Sequence, residues 1–301
     1  MGRLTAIVLG AAGGGGYPQW NCLCTGCRLA WAGDPRVKAR TQASLAVSGD
    51  GKAWVLINAT PDLRSQISAT PVLQPQSGLR DSPIAAVVLT GAEVDQVAGL
   101  LTLRERQSFT VFGTAETIAA LAANPIFDVL AKGVVHRKSI ACGEPIALPG
   151  ELMAELFTVP GKVPLYLEGD APALAQETGA NVGAEIVLSG RRLAYVPGAA
   201  AVTAALRARL ARADVVLFDG TLFADDEMIA AGTGDKTGRR MGHMPIDGAD
   251  GTMAALAGLP GRRILTHINN TNPILIEGSA ERRAVEDAGF EVAEDGMEIV
   301  L

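Results

Sequence analysis

Apolar residues in this chain are grouped in short runs of strand length, separated by glycine and polar turns. Alternating or continuous apolar runs of this length are typical of half-buried or fully buried strands. The pattern predicts strands at Thr5–Leu9, Ser44–Val47, Trp54–Asn58, Ile84–Leu89, Phe109–Phe112, Ile146–Leu148, Met153–Phe157, Pro164–Glu168, Glu185–Leu188, Leu193–Val196, Val215–Asp219, Ile264–His267, Glu291–Ala293 and Glu298–Val300.

Helical spacing appears between these runs, in both halves of the chain. Apolar residues three or four positions apart predict helices that begin near Asp62, carry Val94, Val97 and Leu101, span Ala115–Ala123, carry Val202, Leu206 and Leu210, lie near Asp250–Ala257, and span Ser279–Ala288. There are more strands than one doubly wound sheet needs. We therefore expect two β-sheets packed face to face with helices outside, an α/β (α+β) sandwich, in one domain over residues 1–301.

Composition narrows the class of protein. Of 301 residues, 48% are hydrophobic and 19% are charged, which excludes a disordered chain. The net charge is −6 and the basic residues are scattered, so no basic face for nucleic acid is expected. No apolar run reaches the roughly 18 residues of a membrane span.

Three of the four cysteines, Cys22, Cys24 and Cys27, fall within six residues. Thiolates this close together suit a tetrahedral structural zinc ion better than disulfides, and they indicate a reducing, cytoplasmic compartment. We therefore predict a zinc knot at residues 20–28. Spacing alone does not choose its fourth ligand, for which the candidates are Cys142, His136, His243 and His267.

Several longer strings resemble the coenzyme PQQ synthesis protein B family of the metallo-β-lactamase superfamily. They are the thiol cluster and the segments Leu89–Asp95, Gly99–Leu101, Pro160–Tyr166, Met241–Ile246, Leu265–Pro273 and Asp295–Ile299. The resemblance covers essentially the whole chain and implies the four-layer αβ/βα sandwich of that superfamily. It also implies that His243 completes the zinc knot, as the equivalent histidine does in related phosphodiesterases.

The superfamily's hydrolytic signature, His-x-His-x-Asp-His, is largely lost. Its positions are occupied by Gly91, Glu93, Asp95 and Gln96, so only the aspartate is kept. Members of the family that this chain resembles usually have Thr-Asp-Ala-Gln-x-Asp-His in this loop. Here Gly91 replaces the aspartate and Gln96 replaces the histidine, and an amide is a poorer metal ligand than imidazole. Lys162 replaces a further histidine, and Gly198 stands near the bridging aspartate. A dinuclear zinc hydrolase is therefore not expected.

The resemblance implies iron-dependent hydroxylation of a tyrosine-derived PQQ precursor. Asp95 and His267 would bind Fe(II), and Asp219 or Glu93 would supply the remaining oxygen ligand. This set is one histidine short of a facial triad. Lys162, Gln96 and either Asn269 or Asn270 would contact the acidic substrate.

Plainer roles compete with these assignments. Glu93 and Asp95 would also suit the N-terminus of a helix, Asp219 the cap of a turn, His267 a buried core position, and Lys162 a surface hairpin. Two other functions stay open as well: a non-catalytic carrier that transports PQQ or its precursor, and a zinc phosphodiesterase. Other PQQ-pathway proteins and a second copy of the chain are the expected protein partners.

Overall fold

A computed structural model describes residues 2–169 and 174–301. In these residues the chain forms two seven-stranded sheets. The strands are β1 (Thr5–Gly10), β2 (Ser44–Ser48), β3 (Trp54–Ile57), β4 (Ile84–Val88), β5 (Phe109–Gly113), β6 (Val135–Ser139), β7 (Ile146–Ala147), β8 (Met153–Gly161), β9 (Gln176–Leu188), β10 (Arg191–Val196), β11 (Val215–Asp219), β12 (Arg262–Thr266), β13 (Phe290–Val292) and β14 (Glu298–Val300).

Short helices connect the strands and cover the sheets. They are α1 (Thr25–Trp31), α2 (Leu63–Ala69), α3 (Val94–Val97), α4 (Ala115–Ala123), α5 (Ala204–Leu210), α6 (Glu227–Ala230), α7 (Gly238–Met241), α8 (Thr252–Ala255) and α9 (Ala280–Asp287). Short 3₁₀ helices span Pro71–Leu73, Ala98–Leu103, Pro125–Val129, Leu165–Leu167 and Pro273–Leu275. No helix in the described ranges is long and apolar enough to cross a membrane.

The first sheet runs β14-β1-β2-β3-β4-β5-β6 and the second β13-β12-β11-β10-β9-β8-β7. Strands β3 to β6 pair in parallel, as do β10 to β13, while the remaining pairs are antiparallel. Because parallel strands end at one edge of a sheet, the loops after β4, β10, β11 and β12 are gathered where a pocket is built.

Alternation along the strands produces separate cores on the two faces of each sheet. Val8 and Leu45 of the first sheet pack with Leu193 and Leu217 of the second in the central core. The outer face of the first sheet is covered by α2 and α4, and that of the second by α5 and α9. This is the predicted four-layer α/β sandwich.

Two predicted elements have a different structure. Pro164–Glu168 is not a strand, because it crosses the mouth of the pocket without a strand partner and forms a 3₁₀ turn, where Leu165 and Tyr166 are exposed. The helix through Val94 lasts one turn. The amide of Gly99 then donates to Ala59 O at 2.8 Å, which draws the backbone away from helical pairing.

Candidate metal pocket and thiol cluster

A cavity of about 700 Å³ opens where the loops after β1, β4, β8, β10 and β12 converge. Its lining combines acidic, basic and imidazole side chains. The polar residues of the lining include Glu93, Asp95, Gln96, Lys162, Glu168, Lys236, Arg240, His243 and His267. Such a concave site with convergent polar groups is the default place for chemistry in an α/β fold.

Asp95 and His267 meet at the base of this pocket. Asp95 lies in the first turn of α3, and His267 directly follows β12 with a left-handed φ of +57°. His267 Nε2 is 3.0 Å from Asp95 Oδ2. Burial by itself would raise the pKa of Asp95, but the hydrogen bond and charge of His267 hold this pKa below its usual value. Conversely, burial opposes the charged imidazole, yet Asp95 raises the pKa of His267.

His243 and Asp219 form a second pair beside the first. Gly242 ends α7 in a left-handed conformation (φ +88°), which turns His243 into the pocket. His243 Nδ1 is 2.7 Å from Asp219 Oδ2, at the end of β11, and Asp219 is fully buried. Although burial alone would raise the pKa of Asp219, His243 and His267 lower it.

The two imidazoles lie side by side. Their ring centroids are 5.3 Å apart with an interplanar angle of 18°. Ligand atoms of Asp219, His243 and His267 all lie within 4.8 Å of one another, close enough to hold one metal ion. The His243 ring is also 3.5 Å from the position that a Cβ on Gly198 would take. A larger side chain at Gly198 would therefore meet the ring.

His243 was expected to complete the zinc knot, but its side chain lies with the pocket residues in the structure. The three thiols form their own group, with their sulfur atoms within 4.8 Å of one another, and His243 belongs to the pocket group. The position beside the sulfurs is taken by Asn270, whose side-chain Nδ2 lies 3.1 Å from Cys22 Sγ and 3.3 Å from Cys27 Sγ.

The thiol cluster has the chemistry of a cation site. Backbone amides of Gln19 and Cys24 donate to Cys27 Sγ and Cys22 Sγ at 3.4 and 3.3 Å, which favours thiolates. Burial and the adjacent thiols raise the pKa of Cys24 to about 12. A bound cation would let all three sulfurs carry charge together.

The other two candidates for the fourth ligand lie elsewhere. Cys142 packs against the core between the sheets, and His136 is an exposed residue of β6.

The remaining predicted residues divide between capping and pocket walls. Glu93 is the N-cap of α3, and its carboxylate accepts the amide of Leu165 at 3.1 Å. Gln96 completes the capping box by accepting the amide of Glu93 at 3.1 Å. Lys162 Nζ pairs with Glu168 at 2.5 Å and lies 3.5 Å from Glu93. All three side chains nevertheless face the pocket.

Asn269 and Asn270 are absent from the pocket lining among the described residues, contrary to their predicted contact with substrate. Asn269 Nδ2 donates to Thr271 Oγ1 at 2.6 Å, while Asn270 faces the thiols. The left-handed backbone at His267 turns the loop away from the pocket.

Sequence reasoning missed several polar residues of the site, among them Glu168, Lys236, Thr221 and Arg240. Thr221 contacts both histidines, and Arg240 reaches Glu168 at 3.3 Å. The position of Thr221 two residues beyond a strand-end aspartate, in Asp219-Gly220-Thr221, was the available signal.

Comparison with known proteins agrees with this architecture. The family described as Beta-lactamase superfamily domain matches residues 53–268. The chain is 58% identical to coenzyme PQQ synthesis protein B of Methylobacterium sp. (strain 4-46), over 99% of this chain and 100% of the relative. A crystal structure of Zn²⁺-bound PqqB from Methylobacterium extorquens is 54% identical, with a TM-score of 0.97, and covers 99% of this chain and 100% of that one.

A more distant structure, a diphosphatase of the PhnP family, is 21% identical with a TM-score of 0.69, covering 99% of this chain and 97% of its own. It shares the fold alone. Since the PQQ synthesis relatives align over their full length at more than half identity, the chain belongs to the coenzyme PQQ synthesis protein B family, within the metallo-β-lactamase superfamily.

Proposed function

We propose that this protein is an Fe(II)-dependent hydroxylase that acts on a tyrosine-derived precursor during PQQ biosynthesis. The observation that carries the proposal is a pocket large enough for a small molecule, whose lining includes two imidazoles and a carboxylate, His243, His267 and Asp95. His267 Nε2 lies 3.0 Å from Asp95 Oδ2, and the two rings are stacked. Two histidines with one carboxylate form the facial triad of non-haem iron oxygenases.

The donor set fits that metal. Imidazole nitrogen and carboxylate oxygen are suitable ligands for Fe(II), and His267 Nε2 and Asp95 Oδ2 lie 3.0 Å apart, a separation compatible with two ligands of one ion. Bound Fe(II) would supply dioxygen activation at its open positions. Gln96 does not take the place of a histidine ligand, since its amide oxygen caps α3 by accepting the amide of Glu93.

Asp219 serves the site in another way. Its Oδ2 accepts the Ala199 amide at 2.8 Å and faces His243 Nδ1 at 2.7 Å. Its Oδ1 accepts the amide and the hydroxyl of Thr221 at 3.0 and 2.6 Å. Both oxygens already have two partners, which uses their lone pairs. Asp219 therefore orients His243, and Asp95 supplies the oxygen ligand.

The pocket walls would bind the acidic part of the substrate. Lys162, Lys236 and Arg240 line the cavity, and Glu168 holds both Lys162 and Arg240 in position. A carboxylate of an amino acid or of a PQQ-like substrate would displace Glu168 and pair with these cations.

We further propose that Cys22, Cys24 and Cys27 hold a structural zinc ion, with Asn270 at the fourth position through its amide oxygen. The oxygen and nitrogen of an amide are assigned from their surroundings, and rotation of the side chain by half a turn places Oδ1 toward the sulfurs.

Metal content and turnover test the proposal together. Protein purified anaerobically and reconstituted with Fe(II) is analysed for zinc and iron in the wild type and in His267→Ala. It is then incubated with a tyrosine-containing precursor, dioxygen and a two-electron reductant, which takes the second oxygen atom of dioxygen to water. We expect zinc to be retained in both and iron to be lost in the variant, with a product heavier by one oxygen atom only for the wild type.

A second function, a carrier for PQQ or its precursor, is favoured by Gly91 and Gln96, which remove two metal ligands of the superfamily. Wild-type protein that binds PQQ tightly but takes up zinc alone under every condition would support the carrier and reject the hydroxylase.

A further inference from the structure

One threonine hydroxyl lies between the Asp219 carboxylate and the two imidazoles of the pocket. Thr221 Oγ1 is 2.6 Å from Asp219 Oδ1, 2.9 Å from His267 Nδ1 and 3.1 Å from His243 Nδ1. Thr221 is only 5% exposed, so these contacts are not shared with bulk water.

A hydroxyl has one proton to donate, so its contacts have a fixed order. The carboxylate of Asp219 is the charged acceptor and the shortest contact, and the hydroxyl proton is directed there. The remaining lone pairs of Thr221 Oγ1 then act as acceptors. For His267 to hydrogen-bond this oxygen, its Nδ1 carries the proton.

His243 also carries a proton on Nδ1, but donates it to a different partner. Its Nδ1 is 2.7 Å from Asp219 Oδ2, closer than to Thr221, and a carboxylate oxygen only accepts. Both imidazoles therefore carry a proton on Nδ1. In the metal-free protein His267 Nε2 carries one as well, since it lies 3.0 Å from Asp95 Oδ2 and a carboxylate only accepts. A cation bound beside Asp95 would replace this second proton, because Nδ1 keeps its own against Thr221.

We propose that Thr221 is a positioning residue, which holds a proton on Nδ1 of His267, so that Nε2 of this ring binds a divalent cation together with Oδ2 of Asp95. The inference rests on the proposed metal pocket. It assigns to Thr221 and Asp219 the outer hydrogen bonds that hold metal-binding histidines in place, whose removal typically weakens metal binding about 10–100-fold.

The backbone supports this role. The Thr221 amide donates to Asp219 Oδ1 at 3.0 Å, and its hydroxyl also lies 3.0 Å from His267 O. Gly220, between the two side chains, is closely packed, since a Cβ there would lie 2.9 Å from Leu265 Cβ. The hydroxyl is consequently held against both loops that carry the pocket ligands.

The test is a Co(II) titration of protein whose thiol site is filled with zinc, followed by absorbance, in the wild type, Thr221→Val and Thr221→Ser. Valine keeps the shape without the hydroxyl, and serine keeps the hydroxyl. We expect Thr221→Val to raise the Kd for the pocket ion about 10–100-fold and Thr221→Ser to stay close to the wild type. Equal Kd values for wild type and Thr221→Val would overturn the inference and leave the proposed function standing.

Two further results separate the remaining outcomes. Wild-type protein that takes up no second metal ion would reject the metal pocket itself, and with it this role of Thr221. If Thr221→Val does not fold, as shown by loss of the thiol zinc, a crystal structure of the Co(II)-loaded wild type decides. Cobalt bound through Nε2 of His267 supports the inference, and cobalt bound through Nδ1 overturns it.

Discussion

Replacing His243 with alanine tests most directly whether this histidine binds the pocket ion or the zinc ion of the thiol cluster. In the structure this imidazole belongs to the pocket, 2.7 Å from Asp219 and stacked on His267, and it is not near the three thiols. We expect His243→Ala to keep its thiol-bound zinc and to lose its pocket ion. His136→Ala is the matched control, because this histidine is exposed on β6 and its loss leaves both clusters unchanged.

The same substitution has a cost in stability that follows from the environment of Asp219. This carboxylate is fully buried, and removal of the imidazole takes away one of its four partners. A hydrogen bond to a charged group contributes about 1.5–3 kcal/mol, so the free energy of unfolding of the metal-free variant should fall by about that amount. Water entering from the pocket would place the loss toward the lower end.

Equilibrium urea unfolding of the metal-free proteins measures this loss, and elemental analysis after dialysis against Fe(II) or Co(II) measures the ions. Loss of the thiol zinc in His243→Ala, with the pocket ion retained, would refute our assignment and restore His243 as a ligand of the zinc knot. Unchanged stability would show that Asp219 does not depend on this imidazole.

The remaining predictions concern other parts of the molecule. At the thiol cluster, Asn270→Ala should lose zinc to a chelator at least about tenfold faster than wild type, while Asn270→Asp, which keeps an oxygen ligand, should not; equal rates for all three would exclude Asn270 as a ligand. Burial raises the pKa of Glu227 from 4.5 to about 7, so the folded state binds the extra proton and stability should fall as pH rises between these values. Urea unfolding at a series of pH values measures this decline in the free energy of unfolding. Glu227→Gln should remove up to about 3 kcal/mol of it, and an unchanged dependence of the free energy of unfolding on pH would contradict the prediction. Gly91→Ala should destabilise by about 1–3 kcal/mol, since its Cβ would lie 2.5 Å from Gln96 Oε1, and Gln96→Ala should relieve part of that loss in a double-mutant cycle, whereas strictly additive effects would show no contact.

Much of the fold could be predicted because its strands are buried and read as apolar runs. The edge strand β6 was missed, since Val-His-Arg-Lys-Ser has one apolar residue and no alternation, and only pairing with β5 makes it a strand. The opposite error occurred at Pro164–Glu168, where apolar residues face solvent over the pocket.

The site was predicted in part for a similar reason. Asp95 and His267 follow buried strands, and their proximity follows from sheet topology. Which histidine or amide completes each cluster depends on loop conformations that have no periodic signal. The left-handed residues Gly242 and His267 decide it, by turning His243 into the pocket and Asn270 toward the thiols.

The contact between Asn270 and the thiols also has a consequence for the biogenesis of the protein. Asn270 and Cys27 are separated by 243 residues, so this contact joins the first part of the chain to its last quarter. Almost the whole polypeptide must leave the ribosome before Asn270 can reach the cysteines, and contacts of such long range form slowly. With Asn270 as the proposed fourth ligand, metal captured by the cysteines alone would be held by three ligands during synthesis. Zinc retention by nascent chains would then rise only at the end of translation and would report completed folding.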